Sequence, residues 1–368
     1  MSPALRLPVT SLLQYERSGW LATPSLVPSG RIEALRPVLD EIFESQQVGV
    51  LRQKVRVLLG ADALAGARSR DARAEAQALR RLLAALPEGS VPFLQCFDTW
   101  RHSDDLLAFA RSPELAGVAS QLLGCSRVRL YQDSLFVKRA GDGETHWHAD
   151  LAMAPLDTNS FVTAWLPLQP VPAEADGGTG LIYAGGSHRD VALPYWHGDP
   201  REAGDVSGRG YLEGTAGAMA VGDASWHHGW TLHCAAPNVC AEPRAALALS
   251  YFADGARRLR SSAGRAPDDE DAESSAEWTR AVPPGAPARH ELLPLVWPPQ
   301  KAARSAARSA TGSAARSAAR RTRGGSQARV ESPSPARSTS ETSVAPTPAS
   351  PRRRVSSKAR TNRRSTSS

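Results

Sequence analysis

The side chains whose types and spacing could do chemistry cluster in residues 145–150, Thr-His-Trp-His-Ala-Asp. In extended chain, residues two apart project to the same side. His148 and Asp150 would then offer an imidazole and a carboxylate to one metal ion. A third ligand must come from elsewhere, and residues 225–233, Ser-Trp-His-His-Gly-Trp-Thr-Leu-His, supply three candidates: His227, His228 and His233. Two histidines and one carboxylate on one octahedral face leave three positions open, the arrangement that suits non-haem iron(II) and its reaction with dioxygen. A zinc hydrolase needs fewer open positions and a general base nearby, and ligand spacing alone leaves zinc open. His146 shares the strand face of His148 and is an alternative to it.

An open face that takes a bidentate 2-oxo acid also needs a cation for the far carboxylate. Arg244 stands eleven positions after His233, at the start of a strand-like run over 244–252. A guanidinium fork binds a carboxylate bidentately. The positions eleven residues after His227 and His228 hold Asn238 and Val239.

These residues must be held by a fold, and the chain changes period part-way along. In the first third, Ile32, Leu35, Val38, Leu39, Ile42 and Phe43 recur at helical spacing over 31–43, with Ser29 as a cap. Pro37 predicts a kink there, or a start near it. Helical patterns follow over 71–86 and over 113–123, the latter ended by Gly124. From residue 127 the apolar residues fall in short strand-like runs, at 128–137, 161–168, 180–183, 218–221 and 245–252, separated by turns such as Gly-Asp-Gly at 141–143. Several short strands with regular turns predict a barrel or jelly roll. The charged, Gly/Pro/Ser-rich stretch 257–290 reads as a surface insert or a flap over the site, and 292–297 as the segment that closes the domain.

The whole stretch resembles the phytanoyl-CoA dioxygenase (PhyH-like) family of iron(II)/2-oxoglutarate oxygenases. The family's His-x-Asp, distant His and Arg eleven residues later are matched by His148, Asp150, His233 and Arg244. Leu-Phe-Val-Lys at 135–138, Ala-Trp-Leu-Pro-Leu at 164–168, Gly-Gly-Ser-His at 185–188, His-Cys-Ala-Ala-Pro-Asn at 233–238 and Gln-Tyr-Glu-Arg-Ser-Gly-Trp at 14–20 match its surroundings. The resemblance implies an α+β fold: a double-stranded β-helix, or cupin-like jelly roll, with N-terminal helices packed on the sheet, over residues 13–298. It implies Fe(II) as cofactor and 2-oxoglutarate as co-substrate, His148, Asp150 and His233 as metal ligands, and Arg244, Lys138 and Trp165 as contacts of the 2-oxo acid. The expected reaction is hydroxylation of a small-molecule or acyl substrate by dioxygen, with release of succinate and carbon dioxide. Desaturation, epoxidation, cyclisation or a non-catalytic metal-binding role are the alternatives. Ala149 and Ala235 depart from relatives that carry Gln and Ser there. Asp150 is present where related halogenases lack the carboxylate, which favours hydroxylation over halogenation.

Of the remaining aromatic and histidine residues, His227 and His228 are expected in supporting or structural roles, and His188 in support of a turn. Trp147, Trp226 and Trp230 would either line a pocket or pack in the core.

The net charge of +7 conceals two unlike parts. From residue 301 on there are 16 Lys and Arg against 2 acidic residues, which leaves 28 against 35 in residues 1–300, a balance of −7. The basic character therefore belongs to residues 299–368, a tail rich in Ala, Arg, Ser and Pro that is expected to be disordered. The favoured reading of its basic clusters is a solvated tail, and nucleic acid or an acidic partner is the alternative, reached only through that tail. The four cysteines form no CxxC pair and suggest free thiols in a reducing, intracellular setting, cytoplasmic or, through the tail, nuclear. No apolar run approaches the ~20 residues of a membrane span, and a monomer is favoured.

Overall fold

The computed structural model describes residues 5–190, 210–260 and 270–299. Helices lead. α1 (Val9–Ser18) ends at Gly19, whose φ of 78° reverses the chain into β1 (Trp20–Thr23). α2 (Ser29–Ala67) buries Ile32, Leu35, Leu39, Ile42, Val50, Leu51 and Val55 along one stripe. Pro37 does not stop it. Glu33 and Pro37 both lie on the exposed face, while Leu35 and Leu39 anchor the turn from the buried one. The non-helical residue inside α2 is Gly60, with φ 84°. α3 (Ala72–Ala84) starts where Asp71 accepts from the backbone N–H groups of Arg73 and Ala74. β2 (Leu94–Phe97), α4 (Asp104–Ala110) and α5 (Ala116–Leu122) follow. α5 is shorter than the expected 113–123, because its first residues form a turn.

The strand-rich part comprises β3 (Val128–Lys138), β4 (Thr145–His148), the single turn α6 (Asp150–Met153), β5 (Leu156–Asp157), β6 (Phe161–Pro167), β7 (Leu181–Gly185), β8 (Leu212–Thr215), β9 (Ala224–His228), β10 (His233–Ala235), β11 (Arg244–Ala253), β12 (Arg257–Arg258), α7 (Glu270–Ala281) and β13 (Leu295–Trp297). The expected strand at 218–221 reduces to isolated bridges at Met219 and Val221.

Among the described residues, two large antiparallel sheets and a two-stranded β5–β12 ribbon result. The larger runs β1-β9-β6-β11-β3-β13, with β2 also on β3, and the smaller runs β4-β10-β7-β8. Alternation along the central strands gives each face its task. Val162, Ala164 and Leu166 of β6 and Ala245, Leu247, Leu249 and Tyr251 of β11 face the helices and join their core. Thr163 and Trp165 of β6, and Ala246, Ala248 and Ser250 of β11, face the other way. The smaller sheet covers that second face: Tyr183 of β7 donates to Ser225 Oγ of β9 at 2.8 Å. This is the jelly-roll architecture with helices on its large sheet; among the described residues hydrogen bonding does not close the two sheets into one barrel.

The stretch read as an insert is built into the body where it is described. Trp278 and Val282, four apart, pack with Tyr131, Leu151, Phe161 and Phe252 in a second core. The sequence reading did not anticipate α7, because its apolar residues are few. The tail from residue 300, part of the proposed insert and His197 lie outside the described residues. No helix among them is long and apolar enough to cross a membrane.

Candidate metal and co-substrate site

β4 and β10 pair antiparallel with His148 opposite His233, and that register sets their rings 4.2 Å apart between centroids. Each imidazole is tied back to its own strand. His148 Nδ1 donates to the His146 carbonyl at 2.8 Å, and His233 Nδ1 to the Thr231 carbonyl at 3.0 Å. Each Nδ1 is thereby committed to a carbonyl, and Nε2 of each ring is the nitrogen left for a metal.

Asp150 corrects one expectation. The strand ends at His148, and Asp150 opens the turn α6. Ala149 between them is nevertheless extended, at φ −129° and ψ 128°, so the two side chains still leave on the same side. α6 is docked by the Leu151 N–H, which donates to the Gly229 carbonyl at 2.8 Å. Position 229 must be glycine: a Cβ there would stand 2.8 Å from Leu151 Cβ and 2.9 Å from Phe161 Cδ1.

The two carboxylate oxygens of Asp150 have different neighbours. Oδ1 lies 3.8 Å from His148 Nε2 and 3.5 Å from His233 Nε2. Oδ2 accepts from Thr163 Oγ1 at 2.6 Å and from His227 Nε2 at 3.0 Å, and Thr163 is hydrogen-bonded in turn to Ser250 at 3.0 Å. Burial alone would raise the carboxyl, but His233, His227 and His148 around it hold it well below the usual carboxylate range. Burial, with the neighbouring imidazoles, pushes His233 well below the ordinary histidine value. A charged carboxylate and a neutral imidazole are the states a metal ligand needs. Ligand atoms of His148, Asp150 and His233 all lie within 4.8 Å of one another, so one nitrogen–nitrogen–oxygen face is available to an ion.

Of the other expected residues, Arg244 and Trp165 line the cavity beside this face and Lys138 does not. Arg244 on β11 and Lys138 on β3 are register partners. Arg244 donates through Nε to Thr179 Oγ1 and through NH2 to the Thr179 carbonyl, and its guanidinium lies 5.3 Å from the centre of the Trp165 ring. Lys138, fully buried, reaches Thr145 Oγ1 at 3.3 Å. Burial lowers Arg244 to about 10, and burial with the nearby Arg244 lowers Lys138 to about 8. Among the described residues no carboxylate pairs with either cation. Two buried positive charges on adjacent strands without a counterion form an arrangement that an anionic ligand would complete. A small cavity of ≈ 70 Å³ joins Arg244 and Trp165 to His148, Asp150 and His233. Lys138 stands one layer behind its wall.

His146 points away, 85% exposed and 3.1 Å from Glu144. His228 accepts from the Trp230 N–H, and burial lowers it to about 4. His188 Nε2 donates to the Glu16 carbonyl and braces α1. Trp226 is core, and Trp230 donates to Asn159. Thr163, Ser250 and Thr179 were not anticipated. The available signal was a lone hydroxyl at site-facing parity in an otherwise apolar strand, as in Phe-Val-Thr-Ala-Trp-Leu-Pro at 161–167.

The family model described as Phytanoyl-CoA dioxygenase (PhyH) matches residues 15–246. Among solved structures, the non-heme alpha ketoglutarate dependent carbocyclase SnoK from nogalamycin biosynthesis aligns with 79% of this chain and 96% of its own, at 20% identity and TM-score 0.54. The non-heme alpha ketoglutarate dependent epimerase SnoN from nogalamycin biosynthesis aligns with 80% of this chain and 97% of its own, at 23% identity and TM-score 0.54. At these identities the likeness is one of fold. No curated protein matches the sequence.

Proposed function

The chain belongs to the phytanoyl-CoA dioxygenase family, and on that footing we propose that it is an iron(II)- and 2-oxoglutarate-dependent oxygenase. One observation carries the reading. A face of two imidazoles and one carboxylate shares a small cavity with a buried arginine that has no acidic partner among the described residues. His148 Nε2, His233 Nε2 and Asp150 Oδ1 would hold the metal, and Arg244 the distal carboxylate of the 2-oxo acid. Bound there, iron(II) supplies the activation of dioxygen, coupled to conversion of 2-oxoglutarate into succinate and carbon dioxide and to oxidation of a substrate C–H bond.

The protein's own residues do the placing. Thr163 and His227 occupy Asp150 Oδ2, so the carboxylate presents a single oxygen to the metal and leaves the rest of the face open. Thr179 and the Trp165 ring fix the plane of the Arg244 guanidinium before any ligand arrives, which reduces the ordering cost of binding. Lys138 adds positive potential from behind Thr145. The apolar walls from β6, β7 and β11 keep water from the cation, where an ion pair is stronger than in solvent.

Hydroxylation is the proposed outcome, since the chain keeps Asp150. In the test, purified protein with Fe(II), 2-oxoglutarate and dioxygen is screened against a metabolite library for succinate formation and gain of one oxygen. His148→Ala and Asp150→Ala should each abolish substrate-stimulated succinate. Full activity in either variant contradicts the assignment.

A further inference from the structure

Beside the metal face lies a larger cavity of ≈ 440 Å³, within the usual range of small-molecule sites. It shares His148, Asp150 and Thr163 with the small cavity, so its occupant meets the reacting centre. Much of its wall comes from β3, and the parity of that strand is broken to build it. Tyr251 of β11 faces Leu130 and Ser250 faces Gln132, which leaves Tyr131 as an extra residue in a β-bulge. Val128 and Leu130, before the bulge, pack with the helices; Leu135, after it, does the same. The bulge therefore turns the consecutive side chains Tyr131 and Gln132 to the cavity together, followed by Ser134 and Phe136.

Two of the lining groups are uncommitted. Gln95 and Ser134 are 8% and 4% exposed. They sit diagonally across the β2–β3 ladder, Gln95 opposite Phe136 and Phe97 opposite Ser134. Neither the Gln95 amide nor the Ser134 hydroxyl has a hydrogen-bond partner among the described residues. Both groups face the cavity, where a ligand bearing hydrogen-bonding groups can pair with them in place of water. Around them stand aromatic rings: Phe93 with Phe136, edge to face at 5.2 Å, and Tyr131 with Phe161 at 5.5 Å. Among the described residues no Lys or Arg lines this cavity. Lys54 lies over the Phe93 ring at 4.6 Å, but it is not part of the lining. Away from the metal face, an anionic group entering would lose its hydration and meet no lysine or arginine among the described residues. A plain alkyl chain would leave Gln95 and Ser134 unpaired.

We infer that the substrate is an uncharged ring compound bearing hydroxyl groups, its polar edge read by Gln95 and Ser134 and its faces held by the surrounding aromatic rings. The inference rests on the proposed function for the reaction, but its recognition chemistry is testable separately. Anaerobic protein loaded with Fe(II) and 2-oxoglutarate is titrated calorimetrically with 4-nitrophenyl β-glucoside and naringenin as neutral probes. The same protein is titrated with 4-nitrophenyl β-glucuronide, the carboxylate twin of the first, and with decanoyl-CoA. At least one neutral probe should bind, the glucuronide and the thioester at least about tenfold more weakly. Gln95→Leu and Ser134→Ala should each weaken the neutral probe by about tenfold, the scale of one lost buried hydrogen bond, while melting temperature stays level or rises. Binding of the glucuronide or decanoyl-CoA as tightly as the neutral probes overturns the inference. So does failure of both neutral probes, or unchanged affinity in both variants. The weak visible band that forms when 2-oxoglutarate meets protein-bound Fe(II) is read in the same samples. Its absence in the unaltered protein counts against the proposed function, whereas its presence with the contrary ligand preference overturns only the substrate class.

Discussion

Thr163→Val isolates the hydrogen bond that gives the two oxygens of Asp150 separate tasks. Valine keeps the shape of threonine but cannot donate, so the 2.6 Å bond to Oδ2 is lost while His227 remains at 3.0 Å. Hydrogen bonds to charged groups contribute ~1.5–3 kcal/mol. Changes just outside a metal's ligands typically weaken metal binding ~10–100-fold. His227 remains as a second donor, which places the expected loss toward the lower figure, about tenfold in affinity for Co(II) used as a spectroscopic stand-in for Fe(II). Ser250 also loses its partner at 3.0 Å, so Thr163→Val with Ser250→Ala should show little further loss. The assay is an anaerobic Co(II) titration followed by visible absorption, with melting temperature as the control for folding. Unaltered Co(II) affinity in a folded Thr163→Val protein would refute the idea that Oδ2 is held to present Oδ1.

Three further outcomes follow from the same geometry. Arg244→Met should leave metal affinity intact and raise the KM for 2-oxoglutarate at least ~30-fold, the lower end for removing one partner of a buried charge pair; steady-state kinetics against 2-oxoglutarate decide it. Gly229→Ala drives a Cβ to 2.8 Å from Leu151 and should cost about 1–3 kcal/mol in denaturant unfolding, with a loss of metal affinity because Asp150 precedes the residue displaced. Lys138 has a folded pKa of about 8, below its unfolded value. Its charged form is thus disfavoured by folding, and the ligand-free protein should gain stability as pH rises from about 8 towards the unfolded lysine value, on the order of 1–3 kcal/mol. Unfolding curves from pH 7 to 10 check this, and Lys138→Met should flatten the rise.

The candidate metal face was legible because donor type and spacing are properties of the sequence itself: His148 and Asp150 are two apart, and Arg244 marks His233 by its distance. Even there the strand expected to carry both residues stops at His148, and extended Ala149 preserves the geometry. Thr163 and Ser250 were not legible as a pair. They are 87 residues apart, and only the β6–β11 register sets them side by side. The same holds for Tyr131 and Gln132, consecutive residues whose shared direction depends on a bulge that no local pattern announces. Pro37 misled for a related reason: it lies on the exposed face of α2 while Leu35 and Leu39 anchor the turn from the buried one, and that is set by tertiary packing.

The central claim is that His148, Asp150 and His233 together hold iron(II). It is tested most directly by an anaerobic crystal structure of the iron-loaded protein with anomalous data collected on both sides of the iron edge. The account predicts one peak within ~2.0–2.2 Å of His148 Nε2, His233 Nε2 and Asp150 Oδ1, with Asp150 Oδ2 still bonded to Thr163. A peak bound instead through His146 or His227, or no peak at this face in protein shown to contain iron, would contradict it.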